Sequence, residues 1–568
     1  MNPTDRFLAA RDFLQRHRED YEAARAGFRW PALERFNWAL DWFDVYAEGN
    51  GRTALHVIRH GAERKVSYAE LKERSCRVAN HLRALGARRG DRLLAVLGNA
   101  PVVQELMLAC LRLGLVFVPA STALTPALVR ERIEKGGVRL VVADAAAAEA
   151  LGAVPGVAVS LAVGDAVQGW LPFDRAYAAP AAFTADAETP ASDPALLYFT
   201  SGTSASPKLV EHTHASYPVG HLSTLYWLGL REGDLHLNVS SPGWGKHAWS
   251  SVFAPLTAGA AVVLEDVARF QPAHLLDLLE RLPVTSLCAP ATAWRMVTMA
   301  GLAGRRVHLR EALSAGEPVG ADLIAAVRGA WGLTIREGYG QTETTAQIGY
   351  TPGQPVKPGA MGRPLPGFDV RLLDADGAEA EEGEITLGLD PVPTGLMAGY
   401  AGDAALTARA MRGGRYHTGD TARRDADGHL HYVGRADDLF KSSDYRISPF
   451  EIEAVMLGHG AIAEVAVIPS PDPVRGLVPK AFVHLRPSEV PSPELARDIL
   501  KWARSRLPRF QRVRRIQFGE LPKTISGKIR RGELRNAEQA RPGEHRGAGE
   551  YWLEDLAEHR TGRGGEQP

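Results

Sequence analysis

The chain has 568 residues, and its 66 lysine and arginine residues balance 66 aspartate and glutamate residues, so the formal net charge is zero. This balance excludes a strong overall attraction to nucleic acid or to an acidic membrane surface. The apolar share of 45% and the charged share of 23% are typical of a globular protein. The length predicts more than one domain.

Three cysteines, Cys76, Cys110 and Cys288, are widely spaced and odd in number. They match neither a disulfide framework nor a metal cluster, which favours a reducing cytoplasm. The N-terminus is charged throughout and lacks the apolar core of a signal peptide. The longest uncharged apolar stretch, around 254–264, is shorter than the roughly 20 residues that cross a bilayer. We therefore predict a soluble cytoplasmic protein without a membrane span.

In chain order, residues 1–50 predict helices that are rich in aromatic side chains. Between about 54 and 190, apolar strands such as Arg92 to Leu97 alternate with amphipathic helices such as Tyr68 to Leu85. This alternation predicts βαβ units and a largely parallel sheet.

After about residue 350, proline and glycine become frequent and the predicted strands become short. Turn signals at Asp376-Gly377 and Asp427-Gly428 predict hairpins. These features indicate a small β subdomain that ends near residue 433.

A compact α/β segment follows from about 438 to 535, with a predicted helix from Pro449 to Leu457. Its last part, 501–535, is rich in lysine and arginine. A solvated helix face, a nucleic-acid surface and a site for polyphosphate ligands all fit this bias, although the aromatic residues of an RNA-binding surface are missing. The polar, glycine-rich tail after about 536 is expected to lack regular structure.

Residues 200–208 read Thr-Ser-Gly-Thr-Ser-Ala-Ser-Pro-Lys and follow an apolar run that predicts a buried strand. In such a loop, hydroxyls and backbone N–H groups donate to phosphate oxygens while a lysine supplies a point charge. It is not a Walker A loop, because the second glycine is missing and Leu209 follows Lys208. By itself, such a loop is more often an ordinary polar turn.

Four later segments change that interpretation, because all five stand in one order along the chain. Residues 337–343 carry an acidic group suited to Mg²⁺, and residues 416–420 place a carboxylate in a predicted turn, suited to ribose hydroxyls. Residues 434–438 lie at the junction of the two predicted domains, and residues 521–528 bring a lysine into the last basic region. Alone, each segment has an ordinary explanation: a Thr-Gly-Asp sequence is usually a turn, and a single lysine is usually a solvated surface residue.

With these segments the chain resembles the adenylate-forming superfamily of acyl-CoA synthetases, adenylation domains and luciferases, from about residue 30 to 535. It is most similar to medium-chain acyl-CoA synthetases, on residues 198–203, 339–343, 442–451 and 470–476. The implied fold is α/β: a large N-terminal domain of layered βαβ sheets with a small β subdomain, then a smaller mobile α/β C-terminal domain. The implied boundaries are an AMP-binding domain at 1–434, a hinge at 435–440, a catalytic lid at 441–535 and a polar tail at 536–568.

The resemblance implies a ligase that acts in two steps on a short- to medium-chain or aromatic carboxylic acid. The carboxylate attacks the α-phosphate of ATP, which gives an acyl-adenylate and pyrophosphate. The thiol of coenzyme A then displaces AMP and forms a thioester. Positive charge has to bring the two anions together and stabilise the transferring phosphoryl group.

The family's functional residues map onto this chain by its motifs. The implied catalytic residues are Lys528 for adenylation, Thr342 at the α-phosphate, Glu343 as the Mg²⁺ ligand and Lys441 in the second conformation. The implied ATP-binding residues are Thr200, Ser201, Gly202, Thr203, Lys208, Gly316, Glu317, Pro318, Gly338, Tyr339, Asp420, Arg435 and Arg446. The implied CoA-binding residues are Ser443, Asp444, Tyr445 and Arg475, with Arg509 and Arg512 near the CoA phosphates. Asp437 is the implied hinge, and Trp244, Gly245 and Gly340 are the implied acyl pocket.

Two positions depart from the family pattern, and the assignment of Trp249 stays open. Ala205 replaces a glycine of the phosphate loop, and Asp444 replaces a glycine beside the pantetheine path. Asp444 adds bulk and a negative charge there, so it bears on the second half-reaction and not on the first. Trp249 fits the protein core as well as the acyl pocket. His212 and His214 lack further metal ligands at suitable spacing, and we discount a metal site there.

Asp444 keeps a second hypothesis open, in which the acyl group passes to a carrier protein or another acceptor. A non-catalytic nucleotide-binding regulator is a remote third hypothesis, because Lys528, Glu343 and Lys208 are retained. The expected ligands are a carboxylic acid, ATP, Mg²⁺ and coenzyme A, without nucleic acid. A homodimer is left open.

Overall fold

A computed structural model describes most of the chain. The described residues are 2–59, 61–200, 207–265, 267, 270–436, 438–442, 445–472, 476–524, 527–541 and 546–553, without the side chains of residues 441, 445, 446, 476 and 510. The predictions that lie outside the described residues concern Ser201, Gly202, Thr203, Ala205, Asp437, Ser443, Asp444 and Arg475, together with the side chains of Lys441, Tyr445 and Arg446.

The chain divides into two compact units. The first comprises Met1–Arg371, Thr386–Thr418 and Arg424–His431. The second comprises Leu372–Ile385, Gly419–Arg423 and Tyr432–Pro568. The predicted domain boundaries at 434 and 441 stay predictions.

The first unit contains two large sheets that are mostly parallel, as the alternating pattern predicts. The nine-stranded sheet has the order Arg363–Pro364, Ile348–Gly349, Ile335–Tyr339, Glu311–Ala315, Ser286–Cys288, Leu235–Asn238, Ala261–Glu265, Thr53–Arg59, Ala62–Ser67. The eight-stranded sheet has the order Gly399–Tyr400, Lys208–Thr213, Pro194–Thr200, Val116–Ala120, Arg92–Val96, Val138–Asp144, Val159–Val163, Leu171–Pro172.

Helices cover these sheets because each presents an apolar face at helical spacing. In Tyr68–Ala84, for example, Leu71, Val78 and Leu82 are buried, and Ser67 caps the helix by accepting from the N–H of Glu70. The α-helices described in this unit are Pro3–Arg16, Tyr21–Gly27, Asp44–Ala47, Tyr68–Ala84, Pro101–Leu113, Pro126–Lys135, Ala145–Leu151, His221–Leu228, Gly245–Ala248, Ala254–Ala258, Pro272–Arg281, Ala291–Met299, Ala321–Trp331 and Ala404–Ala410. Two π-helical segments, Trp38–Phe43 and Trp249–Phe253, and two 3₁₀ segments, Phe173–Ala178 and Arg412–Gly414, complete the set for those residues.

The predicted β subdomain is a four-stranded sheet. Its strands run in the order Val370–Leu373, Glu382–Gly388, Arg415–Arg424 and Leu430–Arg435. Gly377 and Gly428 have φ values of +83° and +80°, as the turn signals at these positions require. These strands are divided between the two units.

The second unit has its own apolar core, in which Ile452, Val467, Ala481, Ile499 and Ile516 are buried. Its described helices are Pro449–Met456, Pro493–Arg506 and Arg531–Gln539, with a 3₁₀ turn at Arg509–Gln511. Its sheets are the hairpin Phe440–Ser442 with Tyr445–Ile447, and the four-stranded sheet Ile462–Asp472, Gly476–Leu485, Arg515–Phe518, Glu550–Trp552.

The last of these strands corrects the expectation for the tail. Glu550–Trp552 pairs antiparallel with Arg515–Phe518, so the tail is not without regular structure at these residues. Acidic and aromatic side chains on the strand contact buried partners, which a composition-based prediction does not reveal.

The α/β fold class is confirmed. The two large sheets, the helices that cover them and the smaller C-terminal set of strands match the predicted architecture. Within the described ranges, none of the helices combines the length and the apolar character needed to cross a membrane.

Candidate active site

The carboxyl ends of neighbouring parallel strands collect several predicted site residues at one edge of the nine-stranded sheet. Ala315 pairs with Gly338 across two adjacent strands, so Gly316, Glu317 and Pro318 begin where Gly338 and Tyr339 end a strand. Open parallel sheets bind ligands at this edge. Glu317 also has a structural contact, because its carboxylate accepts from the N–H and the hydroxyl of Thr292 at 3.0 and 2.7 Å.

The strands that flank the predicted phosphate loop, Pro194–Thr200 and Lys208–Thr213, pair antiparallel in the eight-stranded sheet. Thr200 and Lys208 are register partners on these two strands, so the loop begins and ends at adjacent positions. The amine of Lys208 lies 5.3 Å from the ring centre of Tyr400. The hydroxyl of Tyr400 donates to Oε1 of Glu343 at 2.9 Å. The structure therefore brings the predicted phosphate lysine and the predicted Mg²⁺ ligand together on one tyrosine.

The segment from Gln341 to Glu343 is held by hydrogen bonds from three directions. The amide of Gln341 donates to the carbonyl of Thr418 at 2.9 Å and accepts from the hydroxyl of Tyr416 at 2.8 Å. The N–H of Met397 donates to the carbonyl of Glu343 at 2.8 Å. This support orders the backbone that presents Thr342.

His212 is buried and forms a hydrogen bond with the same segment. Its Nε2 lies 2.7 Å from the carbonyl of Thr342, and its Nδ1 lies 3.0 Å from the hydroxyl of Ser216. Burial lowers the pKa of His212 to about 4, although the hydrogen bond to Thr342 acts in the opposite direction. The ring is therefore neutral near pH 7, and Nε2–H donates to Thr342.

His214 is also buried, and neither ring nitrogen has a hydrogen-bond partner within the described ranges. Burial lowers its pKa to about 4. It therefore does not share the supporting role of His212.

Close approaches explain both predicted acyl-pocket glycines. A methyl group on Gly340 would lie 2.5 Å from the Trp249 ring, and one on Gly245 would lie 3.0 Å from the Tyr217 hydroxyl and 3.7 Å from Oγ1 of Thr342. Trp249 is buried and donates to the Tyr217 hydroxyl at 2.8 Å. Trp249 is thus both a core residue and a neighbour of Gly340, whereas Trp244 is only partly buried.

The predicted ribose residue Asp420 lies in the second unit and is buried. The hydroxyl of Tyr432 donates to its Oδ1 at 3.1 Å, and the Arg435 guanidinium donates to the same oxygen at 3.3 Å. Asp420 lies within the strand Arg415–Arg424, so the predicted turn was wrong. Within this strand, Gly419 has a φ of +71°, which favours glycine. A methyl group at this position would lie 2.9 Å from the guanidinium of Arg435.

Lys528 also belongs to the second unit and lies at the end of a tight backbone loop. The N–H of Thr524 donates to the carbonyl of Lys528 at 2.7 Å, and the N–H of Lys528 donates to the Thr524 hydroxyl at 3.1 Å. Lys523 forms an ion pair with Glu464 at 2.6 Å. Lys528 itself is exposed.

Two further basic residues were predicted near the CoA phosphates. Arg509 is exposed, and Arg512 is partly buried. The Nε atom of Arg512 is buried without a hydrogen-bond partner among the residues that the structure describes.

Sequence reasoning missed the residues that connect the motifs. Tyr400 links Lys208 to Glu343, and Tyr432 holds Asp420. Lys246 was also passed over, although a lysine within an apolar stretch is a usable signal. The two tyrosines carry no such signal, because tyrosine is common in ordinary strands.

Comparison with known proteins assigns the chain to a family. The sequence matches the AMP-binding enzyme family over residues 43–401 and the AMP-binding enzyme C-terminal domain over residues 451–528. It is 42% identical over 524 residues to 4-hydroxybutyrate–CoA ligase 1 of Metallosphaera sedula, covering 89% of this chain and 91% of that protein. It is 36% identical over 543 residues to the mitochondrial acyl-coenzyme A synthetase ACSM3 of Mus musculus, covering 91% and 93%.

A solved structure is similar over nearly the whole fold. The anthranilate CoA ligase AuaEII in complex with anthranoyl-AMP has a TM-score of 0.82 at 26% identity, covering 89% of this chain and 98% of that one. These matches span both predicted domains. The chain therefore belongs to the AMP-binding enzyme family and is an ATP-dependent, AMP-forming acyl-CoA ligase.

Proposed function

We propose that this enzyme activates a short- to medium-chain or aromatic carboxylic acid, with the site residues in the roles that their motifs predict. The observation that carries the proposal is the contact series from Lys208 through Tyr400 to Glu343. It joins a cation for the terminal phosphates to a carboxylate for their metal ion. An adenylating enzyme needs both groups at one site.

In the first half-reaction, the substrate carboxylate attacks the α-phosphate and pyrophosphate leaves. Lys208 and the predicted phosphate loop hold the leaving pyrophosphate, and Thr342 donates to the α-phosphate. Lys528 bridges the attacking carboxylate and the nucleotide, which offsets the repulsion between two anions. His212 is a positioning residue, because its hydrogen bond holds the carbonyl of Thr342.

Glu343 is a suitable ligand for Mg²⁺. The residue is partly exposed, and Oε1 accepts from Tyr400. Among the described residues, no side chain donates to the second carboxylate oxygen, which would be the ligand for the ion. Magnesium prefers one or two carboxylates together with phosphate oxygens and water. When bound, the ion would neutralise charge on the phosphates.

In the second half-reaction, the thiol of coenzyme A attacks the acyl carbonyl and AMP leaves. We assign this step to Lys441 and to the predicted CoA residues, with Asp437 as the hinge between two conformations. The named relatives, which include a CoA ligase and an acyl-coenzyme A synthetase, favour coenzyme A over a carrier protein as the acceptor. Because Asp444 replaces the usual glycine, the rate of thioester formation is the quantity to measure.

The names of the similar proteins indicate which class of acid to test. They include a ligase for 4-hydroxybutyrate and a ligase for anthranilate, which are a short-chain acid and an aromatic acid. Both names agree with a short- to medium-chain or aromatic carboxylic acid as the substrate of this enzyme. A cytoplasmic location and a homodimer stay predictions.

An acid panel with two readouts tests the proposal. Purified enzyme is given ATP, Mg²⁺, coenzyme A and one acid from a series of short-chain, medium-chain and aromatic acids, and the formation of AMP and the loss of free thiol are measured. We expect equal amounts of AMP and thioester for at least one acid. AMP formation without thiol loss would favour another acceptor, and no carboxylate-dependent reaction would contradict the proposal.

Lys528→Ala tests the central role within this reaction. We expect the rate of pyrophosphate exchange to fall about 100-fold or more, because the variant lacks the cation that joins the two anions. Thioester formation from supplied acyl-AMP should change little. Lys523→Ala is the matched control, because Lys523 lies in the same loop but pairs with Glu464. Equal loss of both half-reactions in Lys528→Ala would contradict the assignment.

A further inference from the structure

The side-chain amine of Lys246 is buried and has no hydrogen-bond partner in the described part of the chain, although the residue as a whole is only partly buried. Burial lowers the pKa of this amine, and Cys288 and Glu317 act in the opposite direction. A buried donor that remains unpaired destabilises the folded protein. Such a group points to a partner that arrives with a ligand.

Asn238 presents the complementary atom. Its amide nitrogen donates to the hydroxyl of Ser251 at 3.0 Å and to the carbonyl of Lys246 at 3.5 Å. Because a carbonyl only accepts, these contacts fix which end of the amide is nitrogen. The remaining atom, Oδ1, is buried without a partner among the described residues.

The two unpaired atoms belong to one region of the sheet edge. Asn238 and Cys288 are register partners at the ends of adjacent parallel strands, so their side chains lie on the same face. Cys288 is also one of the groups that act on Lys246. Gly245, which precedes Lys246, lies against Thr342. The Lys246 and Asn238 pair therefore lies beside the proposed acyl site.

We propose that Lys246 and Asn238 form a polar subsite that selects acids with a hydroxyl group on the acyl chain. A hydroxyl accepts a hydrogen bond from Lys246 and donates one to Oδ1 of Asn238, so it satisfies both atoms. A methyl group would leave both unpaired, and a second carboxylate would meet the oxygen of Asn238. This inference rests on the proposed function, because it names the acid class of that same site.

The matched pair butyrate and 4-hydroxybutyrate tests the proposal in the wild-type enzyme. Sites built to bind a substrate hydroxyl strongly reject the analogue that lacks it. We expect kcat/KM for AMP formation to be at least about tenfold higher with the hydroxy acid. Pentanoate and 5-hydroxypentanoate form a second pair, and succinate should be a poor substrate. Equal kcat/KM values within both pairs would overturn the proposal.

Variants then assign the preference to residues. Lys246→Met removes the amine and keeps an unbranched side chain that is one heavy atom shorter, and Asn238→Leu removes the acceptor. In each variant we expect the ratio of kcat/KM for the hydroxy acid to that for the plain acid to fall about 10- to 100-fold. A circular dichroism spectrum and a melting temperature close to those of the wild-type protein show that the variant is folded. Lys65→Met, on an exposed strand, is the matched control and should leave the ratio unchanged.

The outcomes separate the two levels of inference. If Lys246→Met and Asn238→Leu lower activity equally with every acid, the two residues do not recognise the acyl hydroxyl, and the proposed subsite is contradicted. If a ratio above tenfold persists in both variants, the subsite is also wrong. If no acid of either series gives AMP in the wild-type enzyme, the proposed function fails, and this inference fails with it.

Discussion

Burial decides the charge of Glu337, which lies two residues before Tyr339 on a strand of the nine-stranded sheet. Burial raises the pKa of this carboxyl from its ordinary value of 4.5 to about 8, although the N–H of Val319, which donates to Oε2 at 3.0 Å, acts to lower it. The folded protein therefore holds a proton on Glu337 at pH values where the unfolded chain has lost it. Its contribution to stability is full below about pH 4.5 and is lost as the pH rises towards 8.

Glu337→Gln should reveal this dependence, because glutamine resembles the protonated acid and does not titrate. At pH 5 we expect the variant and the wild-type protein to have nearly equal melting temperatures. At pH 8.5 the variant should melt about 4 °C or more above the wild-type protein. Differential scanning calorimetry across this range measures the difference, and a difference that is constant with pH would contradict the raised pKa.

At the scale of elements, the strand Glu550–Trp552 completes the C-terminal sheet through a buried charge. Lys480 is fully buried and donates to Glu538 at 2.8 Å and to Glu550 at 2.7 Å. The Trp552 ring lies 4.0 Å from the guanidinium carbon of Arg515 on the neighbouring strand. Buried ion pairs are costly to break by removing one partner. The tail strand is therefore part of the folded second unit.

Glu550→Ala should destabilise the second unit by about 1–3 kcal/mol, since Lys480 would keep only one carboxylate partner. Urea denaturation followed by tryptophan fluorescence, together with limited proteolysis, measures the loss. Glu489→Ala removes an exposed carboxylate from the same unit and should have little effect. An unchanged denaturation midpoint in Glu550→Ala would show that the strand does not hold the unit together.

At the scale of the whole molecule, the predicted site residues are divided between two units. Lys208, Thr342 and Glu343 belong to the first, and Asp420 and Lys528 belong to the second. In a two-step ligase whose predicted residues are divided in this way, a substitution can change the rate of one half-reaction and leave the rate of the other unchanged. Asp444, which lies outside the described residues, is the position at which this independence is easiest to test.

Asp444→Gly should raise the rate of thioester formation and leave pyrophosphate exchange unchanged. The substitution removes bulk and a negative charge from the predicted path of the incoming thiolate. Rapid-quench measurement of thioester formed from acyl-AMP and coenzyme A gives the first rate, and exchange of labelled pyrophosphate gives the second. If neither rate responds, the aspartate points away from the path. Asp444→Asn separates the effect of charge from that of size.

Much of the fold follows from local patterns. The helix Tyr68–Ala84 and the strand Arg92–Val96 lie within one residue of their predicted ends, because apolar periodicity and capping residues act over short distances. The hairpin glycines Gly377 and Gly428 were also predictable, since a positive φ favours glycine. The interior position of Asp420 and the tail strand were not, because both depend on pairing with distant segments.

The sequence by itself determined the α/β class, the order of the five motifs and the family. These properties depend on residue types that chemistry requires at short spacings. Only the tertiary structure decided that Tyr400 joins Lys208 to Glu343 and that Asp420 lies in a strand. It also decided that Lys246 and Asn238 each keep a buried polar atom without a hydrogen-bond partner among the described residues. The physical reason is that burial and hydrogen-bond satisfaction arise from strand register and long-range packing, which no local pattern encodes.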